Sequence, residues 1–346
     1  MHIDEMLATA RELMADHKGL LAMDETIPNI HRRFEAAGIA QSTENRRAYR
    51  ELIVTTPEIG RYLSGAILIE ETLGQATEQG TLFPDILLGK GIMPGIKVDE
   101  GTADLSGFPG EKITIGLDHL RERLKVYRAM GLKFAKWRAV FKVGRYAPTG
   151  GAIVANTHEL ARYAALCQEA SLVPIVEPEV LMEGDHDIHR AAAITKHVLI
   201  ELFNQLNMQQ VHLRCMILKP NMVVPGFGAP LQASSTEVAH ATVDCLMETV
   251  PAAVPGIAFL SGGQSPQEAT DRLNAIHYEY PTLPWPVTFS YSRAIQQPAL
   301  TRWMGKKENI GAAQALLVQR LRLLMLARHG VYRLSMEEAN KQPNQL

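Results

Sequence analysis

The sequence is poor in cysteine and nearly balanced in charge. Its three cysteines (Cys167, Cys215 and Cys245) are widely spaced in apolar surroundings. This spacing fits neither a disulfide framework nor a CxxC metal site, and it favours a reducing compartment. A formal net charge of −2 predicts no broad attraction to nucleic acid or to an anionic membrane. Any affinity for phosphate must therefore come from individually placed cations and backbone N–H groups.

Long uncharged runs are also missing, so the sequence predicts no membrane-spanning segment. Residues 1–14 mix charged and apolar residues at helical spacing, which predicts an amphipathic helix and not a signal peptide. His186 and His189 are neighbours in a polar segment, but no third histidine and no HExxH pattern accompanies them, so a metal is not required. We expect a cytoplasmic protein.

Eight short apolar runs recur along the chain, separated by stretches long enough for a helix. Strands that alternate with helices predict a parallel sheet, and eight is the number that closes into a (β/α)8 barrel, also called a TIM barrel. A doubly wound open sheet is the structural alternative, although its GxGxxG turn is missing. The runs are residues 19–23, 64–69, 91–96, 133–135, 172–176, 215–218, 256–260 and 286–290.

No linker rich in glycine, serine or proline divides the chain, so we predict one barrel domain over residues 1–346 with the extra N-terminal helix. The spacing predicts helices after Thr157, a candidate N-terminal cap, and over residues 313–329, with Gly330 as a C-terminal cap. Residues 335–346 are polar and lack aromatic residues, which predicts a mobile C-terminal tail.

A polar residue follows each apolar run, and in a barrel the ends of the strands converge on one mouth. Each of these residues could be a solvated charge at a strand end, but the convergence of so many predicts a catalytic site. The residues are Asp24 and Glu25; Glu70 and Glu71; Lys97 and Asp99; Lys136 and Arg138; Glu177 and Glu179; Lys219; Ser261, Gly262 and Gly263; and Ser290, Ser292 and Arg293.

Lys219 follows an apolar run that is uncharged over four residues, and Pro220 comes directly after the lysine. On its own the lysine is most simply a solvated charge. If Lys219 lies close to Lys97, Lys136 and Arg138, the group of cations can serve two purposes. The cations can bind an anionic substrate, and their mutual repulsion can lower the pKa of one amine until it acts as a nucleophile.

Glu177 and Glu179 alternate along one run, so both side chains point into the predicted barrel. Buried carboxylates can move protons in catalysis, but they can equally form a structural ion-pair network with the lysines. Residues 259–269 form a glycine-rich turn before a helix, where backbone N–H groups could hold a phosphate. Arg293 adds a guanidinium near the same place in the barrel.

Seven motifs at these strand ends, and an eighth further along the chain, resemble one known family. They are LLAMDET, GIKVDEG, FAKWRAV, VPIVEPEV, ILKPNM, FLSGGQS, TFSYSRA and GKKENI. Their order and spacing are similar to those of the class I fructose-bisphosphate aldolases of animals and plants, from about residue 5 to about residue 333. The resemblance implies an aldehyde-lyase that cleaves fructose 1,6-bisphosphate reversibly into dihydroxyacetone phosphate and glyceraldehyde 3-phosphate. It further implies a covalent imine instead of a metal or other cofactor, and a homotetramer.

The same resemblance implies roles for individual residues. Lys219 would form the imine, Glu177 would act as the acid and base of that step, and Glu179 would balance the charge of the lysines. Asp24 would take the proton from the hydroxyl of the fourth carbon, and Lys136 would assist imine formation and hydrolysis. The ketose phosphate would bind Ser261, Gly262, Gly263, Ser290 and Arg293. The other phosphate would bind Arg33, Lys97, Arg138 and Thr26.

Three departures from the animal pattern stand out. Ile27, Pro28 and Asn29 alter the second phosphate site, Ser292 replaces a glycine, and the last tyrosine is Tyr332 instead of a tail residue. A Schiff-base aldolase for sedoheptulose 1,7-bisphosphate or fructose 1-phosphate therefore remains an alternative. A metal-dependent aldolase is disfavoured for lack of ligands, and a scaffold or binding protein is the alternative from a different class.

Overall fold

The structure, a computed structural model, describes residues 2–337, and within them eight parallel strands close into a barrel. The strands follow one another around the barrel in chain order, and the last pairs with the first. A short antiparallel hairpin, β4 and β5, lies outside it. The strands are β1 (Gly19–Ala22), β2 (Leu63–Leu68), β3 (Met93–Lys97), β4 (Thr102–Asp104), β5 (Lys112–Thr114), β6 (Phe134–Phe141), β7 (Val173–Val180), β8 (Ile217–Leu218), β9 (Ile257–Phe259) and β10 (Val287–Tyr291).

Helices connect the strands and form an outer layer. Four short 3-10 turns, at Ile59–Arg61, Leu213–Cys215, Lys307–Asn309 and Leu334–Glu337, complete the described part of the chain. The helices are α1 (Ile3–Leu13), α2 (Ile27–Ala36), α3 (Thr43–Thr55), α4 (Glu70–Leu73), α5 (Phe83–Gly89), α6 (Leu120–Ala129), α7 (Gly150–Glu169), α8 (Ile188–Met208), α9 (Ser235–Thr249), α10 (Pro266–Glu279), α11 (Arg293–Trp303) and α12 (Ile310–Arg328).

The prediction of a (β/α)8 barrel is confirmed, since each of the eight apolar runs falls on a barrel strand. Two local predictions are wrong. Cys215 ends a 3-10 turn and is not the first residue of a strand. Thr157 lies inside α7, where its hydroxyl donates to the carbonyl of Ile153, and the helix is capped by Thr149, whose side chain accepts from the Ala152 N–H.

The core has two parts, one inside the barrel and one between the barrel and its helices. The predicted N-terminal helix, α1, closes the end of the barrel where the strands begin. Its buried face places Met6, Ala10 and Leu13 against interior residues such as Phe134 and Ile217. This end is filled with apolar side chains, so polar groups in the barrel interior gather at the opposite end.

The predicted final helix is confirmed as α12, which begins three residues earlier than expected and is followed by Gly330 in the left-handed region at φ 66°. By length and composition alone, Lys307–Arg328 is one stretch within residues 2–337 that could cross a membrane. It packs on α10 and α11 in the outer layer. The predicted tail begins in the turn Leu334–Glu337, and its remainder, residues 338–346, lies outside the described residues.

Candidate active site

A cavity of about 730 Å³ opens at the carboxyl ends of the barrel strands. It collects nearly all of the residues predicted as a site. Gly263 does not line it, and neither do Glu70, Glu71 and Asp99 from the wider set of strand-end residues. The predicted site residues in its wall are Asp24, Thr26, Arg33, Lys97, Lys136, Arg138, Glu177, Glu179, Lys219, Ser261, Gly262, Ser290 and Arg293.

Four buried side chains form a continuous ionic chain on the cavity floor. Lys136 Nζ lies 2.5 Å from Asp24 Oδ2 and 2.8 Å from Glu177 Oε2. The other oxygen, Glu177 Oε1, is 2.9 Å from Lys219 Nζ. Each of these side chains is at most 10% exposed. Glu177 therefore joins two lysines, whereas Lys219 has one carboxylate partner within the described chain.

Burial and charge oppose each other in this chain, and charge prevails. Burial alone would raise the pKa of Asp24, but the nearby Lys136 and Lys219 hold it well below its usual value. Burial would likewise raise the pKa of Glu177, and the same two lysines lower it. For Lys136, burial acts to lower the pKa, while Asp24 and Glu177 raise it well above its usual value. Both carboxylates and Lys136 are thus ionised near neutral pH.

Three further cations of the cavity each face a carboxylate. Arg138 Nε donates to Glu179, and Lys97 Nζ lies 2.7 Å from Asp99. Arg33 pairs with Glu25 and donates through Nε to Gln297 at 2.9 Å. These carboxylates hold the cations in place around the mouth, where an anionic substrate would meet them.

The glycine-rich turn after β9 has the geometry expected for an anion site. Gly262 and Gly263 have φ of 54° and 89°, which residues with a side chain rarely adopt. Ser265 caps α10 with a capping box to Glu268. Ser290 is buried, and its Oγ has no hydrogen-bond partner within residues 2–337. Arg293 begins α11 on the next side of the cavity.

Sequence reasoning placed Arg33 and Asn29 near the second phosphate but missed Arg32 on α2 and Gln297 on α11, which line the same side of the cavity. Asn29 and Arg32 line the wall beside Arg33, and Arg32 donates to the side chain of Asn29. Spacings of three and four residues place all three on one face of the helix, so the periodicity held a signal. Gln297 on α11 completes this side.

His186 and His189, which are neighbours in the sequence, do not line the cavity. Burial lowers the pKa of His186, whose backbone carbonyl accepts from the Gly226 N–H. Within residues 2–337 no three side chains of histidine, cysteine, aspartate or glutamate are grouped so that they could hold a metal ion.

Comparison with known proteins decides the family. Residues 5–346 match the family model described as class I fructose-bisphosphate aldolase. The chain belongs to this family. A probable class 1 fructose-bisphosphate aldolase of Xylella fastidiosa is 50% identical over 334 residues, which cover 96% of this chain and all of that protein. Cytosolic fructose-bisphosphate aldolase 4 of Arabidopsis thaliana is 47% identical over 329 residues, covering 95% and 84%.

A solved structure supports the same assignment. The fructose-bisphosphate aldolase of Plasmodium falciparum, in a ternary co-crystal with TRAP and a small-molecule inhibitor, superposes with a TM-score of 0.94 at 43% identity over 95% of each chain. The resemblance seen in the sequence motifs is confirmed, and the match extends past residue 333. The family is one of lyases that act through a lysine Schiff base without a metal.

Proposed function

We propose that this aldolase cleaves fructose 1,6-bisphosphate reversibly into dihydroxyacetone phosphate and glyceraldehyde 3-phosphate through an imine on Lys219. The observation that carries the proposal is the placement of Lys219. Its amine is buried at a strand end, 2.9 Å from Glu177, in a cavity with cations on both sides. An amine in that setting can exchange its proton with the carboxylate and add to a carbonyl.

Imine formation needs an acid and a base beside the amine, and Glu177 can serve as both. Lys219, once neutral, adds to the ketose carbonyl, and the resulting carbinolamine loses water when Glu177 delivers a proton to its hydroxyl. Lys136 contacts the second oxygen of Glu177 and so sets the acidity of that carboxylate. The product is a protonated imine that can accept electrons.

Carbon–carbon cleavage then requires a base at the hydroxyl of the fourth carbon, a role that we assign to Asp24. Its low pKa keeps it ionised, and Lys136 stabilises that charge. Removal of the hydroxyl proton breaks the bond between the third and fourth carbons. The electron pair moves into the imine, forming an enamine, and the aldehyde leaves. Protonation of the enamine and hydrolysis release dihydroxyacetone phosphate and restore Lys219.

The two phosphates would bind on opposite sides of Lys219. We assign the ketose phosphate to Ser261, Gly262, Gly263, Ser290 and Arg293, because this region combines left-handed glycines, a free buried hydroxyl and a guanidinium. We assign the other phosphate to Thr26, Arg33, Lys97 and Arg138, which line the facing wall. Glu179 would position Arg138. Cations at both ends favour a bisphosphate over fructose 1-phosphate.

The enamine must be protonated, and the cavity formed by the described residues contains no tyrosine that could donate this proton. Tyr332 is buried and donates to Glu337, and no tyrosine within residues 2–337 lines the cavity. We propose that water or a cavity side chain supplies this proton. We further propose a single barrel domain, a cytoplasmic location, as for the cytosolic plant relatives, and a homotetramer.

Borohydride trapping tests the central assignment. Reduction in the presence of dihydroxyacetone phosphate should fix one adduct per chain on Lys219, because reduction makes the imine permanent. Lys219→Ala should abolish trapping, whereas Lys97→Ala should still be trapped on Lys219. An adduct found by mass spectrometry on Lys97 or Lys136 would refute the assignment. Turnover of fructose 1,6-bisphosphate, fructose 1-phosphate and sedoheptulose 1,7-bisphosphate tests the choice of substrate. A higher kcat/KM for sedoheptulose 1,7-bisphosphate than for fructose 1,6-bisphosphate would refute the proposal.

A further inference from the structure

A second cavity, of about 390 Å³, lies at the opposite end of the barrel from the catalytic residues. We call it the basal cavity. It is bounded by the segment between α1 and β1, the end of α10, the loop into β10 and the end of α12. Its volume falls within the range of small-molecule sites. Neither the proposed reaction nor any phosphate position described above uses it.

The charge in the basal cavity is unbalanced. Arg328 is buried. Its Nε donates to the backbone carbonyl of Val287, and its Nη1 donates to those of Ala15 and Lys18. These acceptors carry no net charge, and within residues 2–337 Nη2 has no hydrogen-bond partner and the guanidinium no carboxylate in ion-pair contact. The nearby carboxylate of Asp16 is 88% exposed and therefore solvated. A buried cation with a free donor favours an anion.

Three imidazoles surround this guanidinium. His277 bonds to the backbone of Val287, while its buried Nε2 has no partner within the described residues. His17 Nδ1 and His329 Nε2 are 2.6 Å apart, with their rings 4.5 Å between centroids. Protonated imidazoles are donors at both nitrogens. Together with Arg328 they can satisfy the three terminal oxygens of a phosphate.

The rest of the wall is apolar or aromatic. Trp285 is buried with its indole N–H donated to the carbonyl of Pro251, which fixes the ring. Tyr280, Leu283 and Pro286 line the cavity beside it. An anion bound only beside Arg328 and the histidines would leave these apolar side chains exposed to water. A ligand with a planar or apolar group would cover them.

We propose that the basal cavity binds a small phosphate monoester whose other group is apolar or aromatic. The phosphate lies against Arg328, His277 and the pair of His17 and His329, and the apolar group lies against Trp285.

Binding should be coupled to proton uptake. In the free protein, burial and then Arg328 lower the pKa of His277 to about 4, and burial lowers that of His329. A bound anion offsets Arg328 and raises both pKa values, so binding strengthens as pH falls. The titratable and charged groups that face the site are Asp16, His17, His277, Tyr280, Arg328 and His329.

Fluorine NMR of the full-length protein, with 5-fluorotryptophan at its three tryptophans, reads this site directly. Phenyl phosphate should shift the Trp285 resonance saturably, with Trp137 in β6 as an internal reference and Trp303 in α11 reporting on the catalytic side. Inorganic phosphate and benzyl alcohol should each bind at least about tenfold more weakly, since each keeps half of the contacts. Affinity should fall about tenfold from pH 6 to pH 8 as one imidazole loses its proton.

Two variants and a control test the residues. Arg328→Met should weaken binding at least about tenfold. His277→Gln should weaken it severalfold and reduce its pH dependence, and it keeps the proposal testable if Arg328→Met does not fold. His197→Gln, on the exposed face of α8 and away from the cavity, should change nothing. An unmoved Trp285 resonance, equal affinity for inorganic phosphate, or unchanged binding in His277→Gln would overturn the proposal.

Discussion

Glu177 is the residue through which the two buried lysines communicate. It contacts Lys136 with one oxygen and Lys219 with the other, and it is only 4% exposed. Buried charges are costly unless each is paired, so this carboxylate stabilises both lysines. It also completes the ionic chain from Asp24 through Lys136 to Lys219. Kinetic measurements on variants separate its chemical role from its structural role.

Glu177→Gln should lower kcat by about 10²-fold to 10⁴-fold, because the amide cannot transfer the protons of imine formation. Glu179→Gln is the matched control on the same strand. It should mainly raise KM, because Glu179 contacts Arg138 and neither lysine. Steady-state kinetics on fructose 1,6-bisphosphate checks both variants. Equal losses of kcat would contradict the separate roles.

Glu159 on α7 should make stability depend on pH far from the active site. Burial raises its pKa to about 7. Because the folded protein binds this proton more tightly than the unfolded chain, stability is fully present below the unfolded pKa and is lost as pH rises through about 7. Glu159→Gln should remove this loss and stabilise the protein above that pH by about 1 kcal/mol after solvent screening.

Urea unfolding at a series of pH values measures this effect. Glu122→Gln, which removes an exposed glutamate from α6, is the control. If Glu122→Gln and Glu159→Gln gave the same pH profile, burial of Glu159 would not be the cause.

At the scale of elements, Gly95 on β3 leaves room for the ring of Phe134 on β6. Gly95 pairs with Phe134, and a Cβ at this glycine would overlap the phenylalanine ring. Gly95→Ala should therefore destabilise the protein by about 3 kcal/mol, and Phe134→Leu in the same chain should restore part of the loss. Gly74→Ala, where a Cβ meets nothing within 4 Å, should be neutral. Thermal unfolding distinguishes these variants, and an unaffected Gly95→Ala would contradict the packing argument.

The two capping boxes offer a matched pair of elements. Ser234 with Glu237 caps α9, and Ser265 with Glu268 caps α10. Each serine-to-alanine change should cost about 1 kcal/mol of stability. Only Ser265→Ala should also raise KM, because α10 follows the glycine-rich turn at Gly262. A rise in KM for Ser234→Ala would show that the effect is general destabilisation.

The barrel strands were predictable because strands buried on both faces give continuous apolar runs. Their full lengths were not. β6 continues to Phe141 because Lys136 and Arg138 face the cavity while Trp137 packs outward against Tyr163. Such alternation ends an apolar run without ending the strand.

The site was predictable to the same extent and for a related reason. Parallel strands bring their ends together, so the residue types were visible in the chain. Which carboxylate meets which lysine depends on strand register and side-chain rotamers. The register places Lys97 beside Lys136 and Arg138 beside Glu177, and yet Arg138 pairs with Glu179. No sequence spacing specifies that choice.

At the scale of the whole molecule, the last described turn is tied to the helix that follows the proposed phosphate site. Glu337 accepts from Arg320 at 2.5 Å and from the Tyr332 hydroxyl at 2.9 Å. Arg320, buried in α12, also donates to the carbonyl of Pro266, the first residue of α10. The chain near its C-terminus is thus part of the outer layer up to Glu337.

The ion pair between Arg320 and Glu337 predicts different effects for two changes near the C-terminus, a substitution of Glu337 and a truncation after it. Glu337→Gln should lower stability by about 2 kcal/mol, because Arg320 keeps its buried charge and loses its carboxylate partner. A chain that ends at Glu337 keeps the ion pair, so its stability should match that of the full chain and its cleavage rate should change by less than about twofold. Thermal unfolding and steady-state cleavage of both proteins measure the contrast. If the shortened chain instead lost most of its cleavage activity, residues 338–346 would take part in catalysis. Donation of a proton to the enamine would then be the first role to test for them.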